Sequence, residues 1–173
     1  MNFFKKIIFI LILTLPLNNA FTETPYYIDF KYILNQSEAG KKAQTELKNK
    51  LKNGIDSLSK REKGLQEEEK KIIGQKKIIS EQEYIKNVTN LRKKVSKLQK
   101  DRNQLLENIS KQRIKAREEL LKNLNPILKS YMMEKKIRMV IDKKNLILAD
   151  EKLNITKEVV KLLNNKIKTI KLN

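Results

Sequence analysis

Asp29 and Asp142 are the side chains most open to a catalytic reading, because each adjoins the end of a short β-prone run and paired carboxylates can serve general acid–base hydrolysis. They have no helpers. The 173-residue chain contains neither His nor Cys, which excludes His/Cys zinc sites, Ser-His-Asp triads and Cys-His nucleophiles. No other catalytic group type accompanies the two aspartates, so the expectation is a protein that is not an enzyme and uses no cofactor or metal.

The other chemically distinctive feature is charge. Lys and Arg number 39 against 20 acids, for a formal +19, and only six of the 39 are Arg. Without the first 20 residues the charge is +17, since Lys5 and Lys6 go and no acid does. Such a surplus attracts polyanions: acidic polypeptide segments, anionic lipid headgroups or nucleic acid. Heavy use of Lys, Asn and Ile also fits AT-rich coding, which would set the size of the surplus without a functional cause. The scarcity of Arg and the lack of a nucleic-acid-binding motif argue against specific nucleic-acid recognition.

Lys70, Lys71, Lys76 and Lys77 stand beside Ile72, Ile73, Ile78 and Ile79. This mixture suits many weak contacts with an extended polypeptide. The plainer reading is a solvated lysine face over isoleucines packed in a coiled coil.

What positions these groups is a long helical hairpin. Trp is absent, aromatics are 6% and charged residues 34%, so apolar side chains suffice for narrow seams but not for a large core. Residues 40–124 contain no Pro. Leu51, Leu58, Leu65, Ile72 and Ile79 recur every seven residues, with Ala43, Leu47 and Ile55 widening the stripe near its base. Towards the far end the companion positions are Arg61, Glu62, Glu68 and Glu69, so that seam is thin. The second arm repeats Tyr84, Leu91, Leu98 and Leu105 in one row and Val88, Val95, Arg102, Ile109 and Ala116 in the other. Ser80 with Glu83 forms a capping box that starts the second arm and places the tip near residues 74–80. Gly54, Gly64 and Gly74 each cost the first arm about 1 kcal/mol relative to Ala. They read either as built-in compliance or as tolerated substitutions on a solvent face.

Residues 1–20 have the layout of a secretory signal: Lys5 and Lys6, an apolar stretch over 7–17, and a cleavage site after Ala20 or Thr22. The apolar run is shorter than the roughly 20 residues a spanning helix needs. Export to the periplasm with cleavage is expected; an uncleaved anchor would make the protein a tethered envelope coiled coil.

The remaining segments, 21–36 and 124–173, are expected to form a β-containing oligomerisation body around the 37–123 arm. Residues 25–30 read as a strand, 31–35 as a helical turn, 127–136 as a short helix after a break at Pro126, and 137–141 and 146–149 as a strand pair joined by a hairpin turn. A last helix begins near Asn154 or Thr156. The fold class is mainly α with a small antiparallel sheet. Tyr27, Ile28, Phe30, Met139, Val140, Ile141, Ile147 and Leu148 are the expected strand and subunit-contact residues. A three-stranded sheet with open edges invites self-association.

Tyr27-Ile28-Asp29-Phe30, Ser37-Glu38-Ala39-Gly40-Lys41-Lys42-Ala43, the basic hairpin with Gln99-Lys100-Asp101-Arg102, Ile137-Arg138-Met139-Val140-Ile141-Asp142 and Asn154-Ile155-Thr156 resemble, in order and spacing, the Skp/OmpH family. Asn154 stands where that family usually has Asp, and Pro126 is not a general family feature. The resemblance implies a jellyfish-like homotrimer with helical tentacles. It also implies an ATP-independent chaperone that holds unfolded outer-membrane β-barrel proteins in a central cavity.

Overall fold

The described residues, 24–172 of a computed structural model, are dominated by two helices whose start points are both set by serines. The segment 1–20 lies outside them. Helix α1 spans Phe30–Gln36. Helix α2 spans Glu38–Gln75, and Ser37 Oγ accepts the Gly40 N–H at 3.2 Å to cap it. Helix α3 spans Glu81–Lys135, and Ser80 Oγ accepts the Glu83 N–H at 3.3 Å in the same way. Each cap satisfies an amide that has no partner inside its own helix.

The two helices run antiparallel. Lys50 Nζ meets Gln112 Oε1 at 3.4 Å near the root, Arg61 pairs with Asp101 at 2.7 Å midway, and Lys94 pairs with Glu68 at 2.6 Å nearer the tip. Ala43, Leu47, Leu58 and Ile72 of α2 and Leu98, Ile109 and Ala116 of α3 are buried in the seam. Where the apolar stripe thins, ions take over: Glu62 receives Arg102 at 3.0 Å beside the Arg61–Asp101 pair. Ile55 and Val95, expected in the seam, are each 50% exposed. An ideal helix drifts about 20° per heptad, so a strict seven-residue count places some positions on the flank.

Helix α3 does not stop at Pro126 but continues to Lys135, so there is no separate helix over 127–136. Pro126 faces solvent, while Leu120, Leu124 and Ile127 on either side of it are buried. The carbonyl deprived of its partner belongs to Lys122, which is exposed and open to water. Core packing thereby outweighs a proline cost of about 3 kcal/mol.

Three expectations for the body need correction. Strands β1 (Tyr26–Ile28) and β2 (Val140–Asp142) are parallel, with Tyr27 opposite Ile141. A parallel pair needs a long crossover rather than a hairpin turn, and the intervening arm provides one. Phe30 opens α1 instead of ending the strand, because Asp29 Oδ1 accepts the Tyr32 N–H at 2.8 Å as an N-cap. Residues 146–149 do not pair back onto β2. Asp142 and Asp150 each accept the amide two residues on, at 3.2 and 2.9 Å, and set short 3-10 turns over Lys143–Asn145 and Glu151–Leu153. The chain therefore advances to the other edge of β1, where Asn154 forms a parallel bridge with Tyr27 and the Ile155 N–H donates to the Tyr27 carbonyl at 3.0 Å.

Helix α4 (Thr156–Lys166) completes the body. Ile33, Leu120, Leu124, Val159 and Leu163 have no accessible surface and form the centre of its core. Small side chains let α2 approach: Ala39 is fully buried, and a Cβ on Gly40 would strike the Leu34 carbonyl oxygen.

The three arm glycines differ. A Cβ at Gly54 would lie 2.5 Å from Leu105 Cδ2, whereas Gly64 and Gly74 have no neighbour within 4 Å. Gly64→Ala and Gly74→Ala should each raise stability by up to about 1 kcal/mol, while Gly54→Ala should give no gain because Leu105 must move. Thermal melts of the three variants, read with hydrogen exchange along α2, check this.

Candidate functional site

The carboxylates first considered for catalysis are occupied structurally. Asp29 caps α1, and Asp142 caps the turn after β2 while lying 3.8 Å from Lys144 Nζ. Both border one open groove with Phe30, Lys31 and Arg117. Arg117 stacks over Phe30 at 5.3 Å, a cation–π contact that fixes the guanidinium.

The Asn-Ile-Thr motif does the joining. Thr156 Oγ1 donates to Asn154 Oδ1 at 2.6 Å and accepts the Asp29 N–H at 2.8 Å, tying α4 to the end of β1. Asn154 Oδ1 also accepts the Thr156 N–H at 3.1 Å, while the residue at the formal cap position, Ile155, makes no side-chain cap. Nearby, the Asn154 amide and then the Tyr27 phenol hold the Glu151 carboxyl below its ordinary range. Burial foremost, with the charge of Glu151, pushes the Tyr27 phenol up. These groups bond to one another where α4 meets the edge of β1.

The residues singled out near the tip divide by exposure. Ile72 is buried in the seam and Ile79 half-buried, but Ile73 is 60% and Ile78 81% exposed. Lys70, Lys71, Lys76 and Lys77 are all exposed. Lys70 pairs with Glu67 at 2.9 Å, and Lys76 sits 5.8 Å above the Tyr84 ring. Of the body residues, Tyr27, Ile28 and Phe30 are buried within the chain and Val140 and Ile141 are half-buried. Met139, Ile147 and Leu148 project outwards, and Leu148 is 91% exposed.

Val95, expected in the seam, instead joins three apolar residues that the heptad rows did not include. Ile85, Val95, Leu106 and Ile114 on α3 are each at least half exposed. At 100° per residue they fall within an arc of about 100° beside the seam. Three of them lie outside the seven-residue rows, and that off-register placement is the sequence signal that could have found them. At the root, Ala43, Leu47 and Ala116 floor an open groove of about 670 Å³ with Lys41, Lys48 and Arg113 around it. Among the described residues no helix is long and apolar enough to cross a membrane.

The architecture is a long antiparallel helical hairpin standing on a small body, with apolar side chains set singly along a basic arm. The family model described as outer membrane protein (OmpH-like) matches residues 26–163, and the chain belongs to that family. A crystal structure of a candidate OmpH-like outer membrane chaperone from Caulobacter crescentus CB15 is similar in fold. Its TM-score is 0.78 and its identity 21%, over 90% of this chain and 95% of that one. No protein with a curated description matches the chain.

The split at the tip has a direct test. Ile72→Ala should destabilise the distal hairpin by about 2 kcal/mol or more, as a buried large-to-small change does, whereas Ile78→Ser should stay within roughly 0.5 kcal/mol. Site-resolved hydrogen exchange near residues 65–90 distinguishes the two.

Proposed function

We propose that this protein is an ATP-independent, non-enzymatic periplasmic chaperone that holds unfolded outer-membrane β-barrel proteins and prevents their aggregation. The observation that carries the reading is the flank of α3, where Ile85, Val95, Leu106 and Ile114 stand exposed on an arm of a chain with charge +19. Membership of the OmpH-like family supports the same role. Separated apolar side chains give many weak contacts, so a bound chain keeps most of its conformational freedom and leaves without an energy source. Positive charge draws acidic segments in, with rates that fall as salt rises.

The working form in this proposal is a homotrimer. Met139, Ile147 and Leu148 are apolar, exposed and close to a two-stranded sheet, which supports their burial against neighbouring copies. Joined bodies would set three arms around a cavity, giving the jellyfish-like shape implied by the sequence resemblance. Export follows from the signal-like segment 1–20, with cleavage near Ala20. Exposed Ile73 and Ile78 among the tip lysines also suit contact with anionic lipid headgroups.

The mature protein should suppress aggregation of a diluted, denatured outer-membrane barrel at near-stoichiometric trimer without nucleotide, and best at low salt. Serine at Ile85, Val95, Leu106 and Ile114 together should abolish holding while circular dichroism stays helical. Serine at Met139, Ile147 and Leu148 should shift sedimentation from trimer to monomer. A wild-type protein that is inactive at low salt, or monomeric at working concentration, overturns the proposal.

A further inference from the structure

Helix α4 ends at Lys166, and the chain then runs back along the arm instead of leaving the surface. Ile167 is extended, at φ −139° and ψ 140°, and its N–H still bonds the Leu163 carbonyl at 2.8 Å. Its side chain packs on the body core. Ile170 touches both that core and the separate apolar cluster at the arm root. Leu172 ends the path in the root cluster, 3% exposed, among Ala43, Leu47, Ile109 and Ala116. Six residues thus connect two cores that α2 and α3 alone would leave joined only through their own backbones.

Polar contacts act at the same place. Glu38 is the first residue of α2, and its N–H donates to Asn164 Oδ1 at 2.8 Å. That amide has no acceptor within its own helix, so Asn164 caps the arm from a distance of 126 residues in sequence. Lys168 Nζ lies 4.0 Å from the Glu38 carboxylate. Rotation of the arm away from the body would break this cap and empty the seat of Leu172. The family match ends at residue 163, before Asn164, Lys168, Ile170 and Leu172.

We infer that residues 164–172 form a latch that fixes the arm root to the body and so sets the angle of the hairpin. The latch is a property of the single chain and does not depend on the chaperone proposal, and its test uses no client. Leu172 supplies the apolar plug and Asn164 the polar catch. Releasing either frees the root while the body core stays folded.

Hydrogen exchange of the full mature protein tests the latch, together with spin-label distances between tip and body. Leu172→Asp should speed exchange at residues 39–47 and 109–116 by about tenfold or more and broaden the tip-to-body distances. Amides of Ile33, Leu120 and Leu124 should keep their protection. Asn164→Ala should speed exchange in the first turn of α2 more than at 109–116, and Leu172→Ile should behave as wild type. Unchanged root exchange in both Leu172→Asp and Asn164→Ala overturns the latch. Equal loss of protection at root and core also overturns it, since the tail would then belong to the global fold.

Discussion

Everything in this protein depends on β1 having partners on both edges. Three residues, Tyr26–Ile28, pair with β2 on one side, and Tyr27 meets Asn154 and Ile155 on the other. The Thr156 hydroxyl then accepts the Asp29 amide. These few bonds gather chain segments more than a hundred residues apart, and only then can Ile33, Leu120, Leu124, Val159 and Leu163 exclude water together. Each such side chain contributes about 1.5–3 kcal/mol when buried. The hydrogen bonds set direction and the apolar centre supplies most of the stabilisation.

The arm follows a different logic. It has no comparable centre, and its two helices meet through a line of single side chains. Near the root, small residues allow close approach: Ala43, Gly54 against Leu105, and Ala116. Farther out, Arg61–Asp101, Glu62–Arg102 and Glu68–Lys94 bridge the helices. All three pairs are substantially exposed, and exposed pairs contribute about 0.2–1 kcal/mol apiece. They fix register more than stability. Apolar side chains not needed in the seam are left on the flanks, where the chaperone proposal uses them.

The hairpin was legible because its cues are local and repeated. Ser80 with Glu83, the seven-residue rows and the proline-free stretch all concern neighbours on one helix. The body was legible mainly in composition. Sheet direction was not, because the pattern Tyr-Tyr-Ile-Asp and Val-Ile-Asp alternates in the same way for parallel and antiparallel partners. Asp142 read as the start of a hairpin turn, but it closes a 3-10 turn that sends the chain onward, and Asp150 closes another. Pro126 read as a break because local propensity says so, and burial of Leu124 and Ile127 overrides it. Among candidate contacts, the seven-residue row already set Ile72 apart from Ile73, and the 100° rotation from one residue to the next takes the side chain from seam to solvent. Leu172 and Asn164 gave no signal, since their partners are distant in sequence.

The unbroken course of α3 has a mechanical consequence. Its 55 residues run from the tip into the body as one helix, so the helix acts as a lever with its fulcrum at the root. At a reach of about 60 Å, a tilt of roughly 10° at the inner end sweeps the outer end by about 10 Å. Small rearrangements among body side chains are thereby magnified into large excursions of the tip, and a pull on the tip is felt with matching leverage at Leu120 and Leu124.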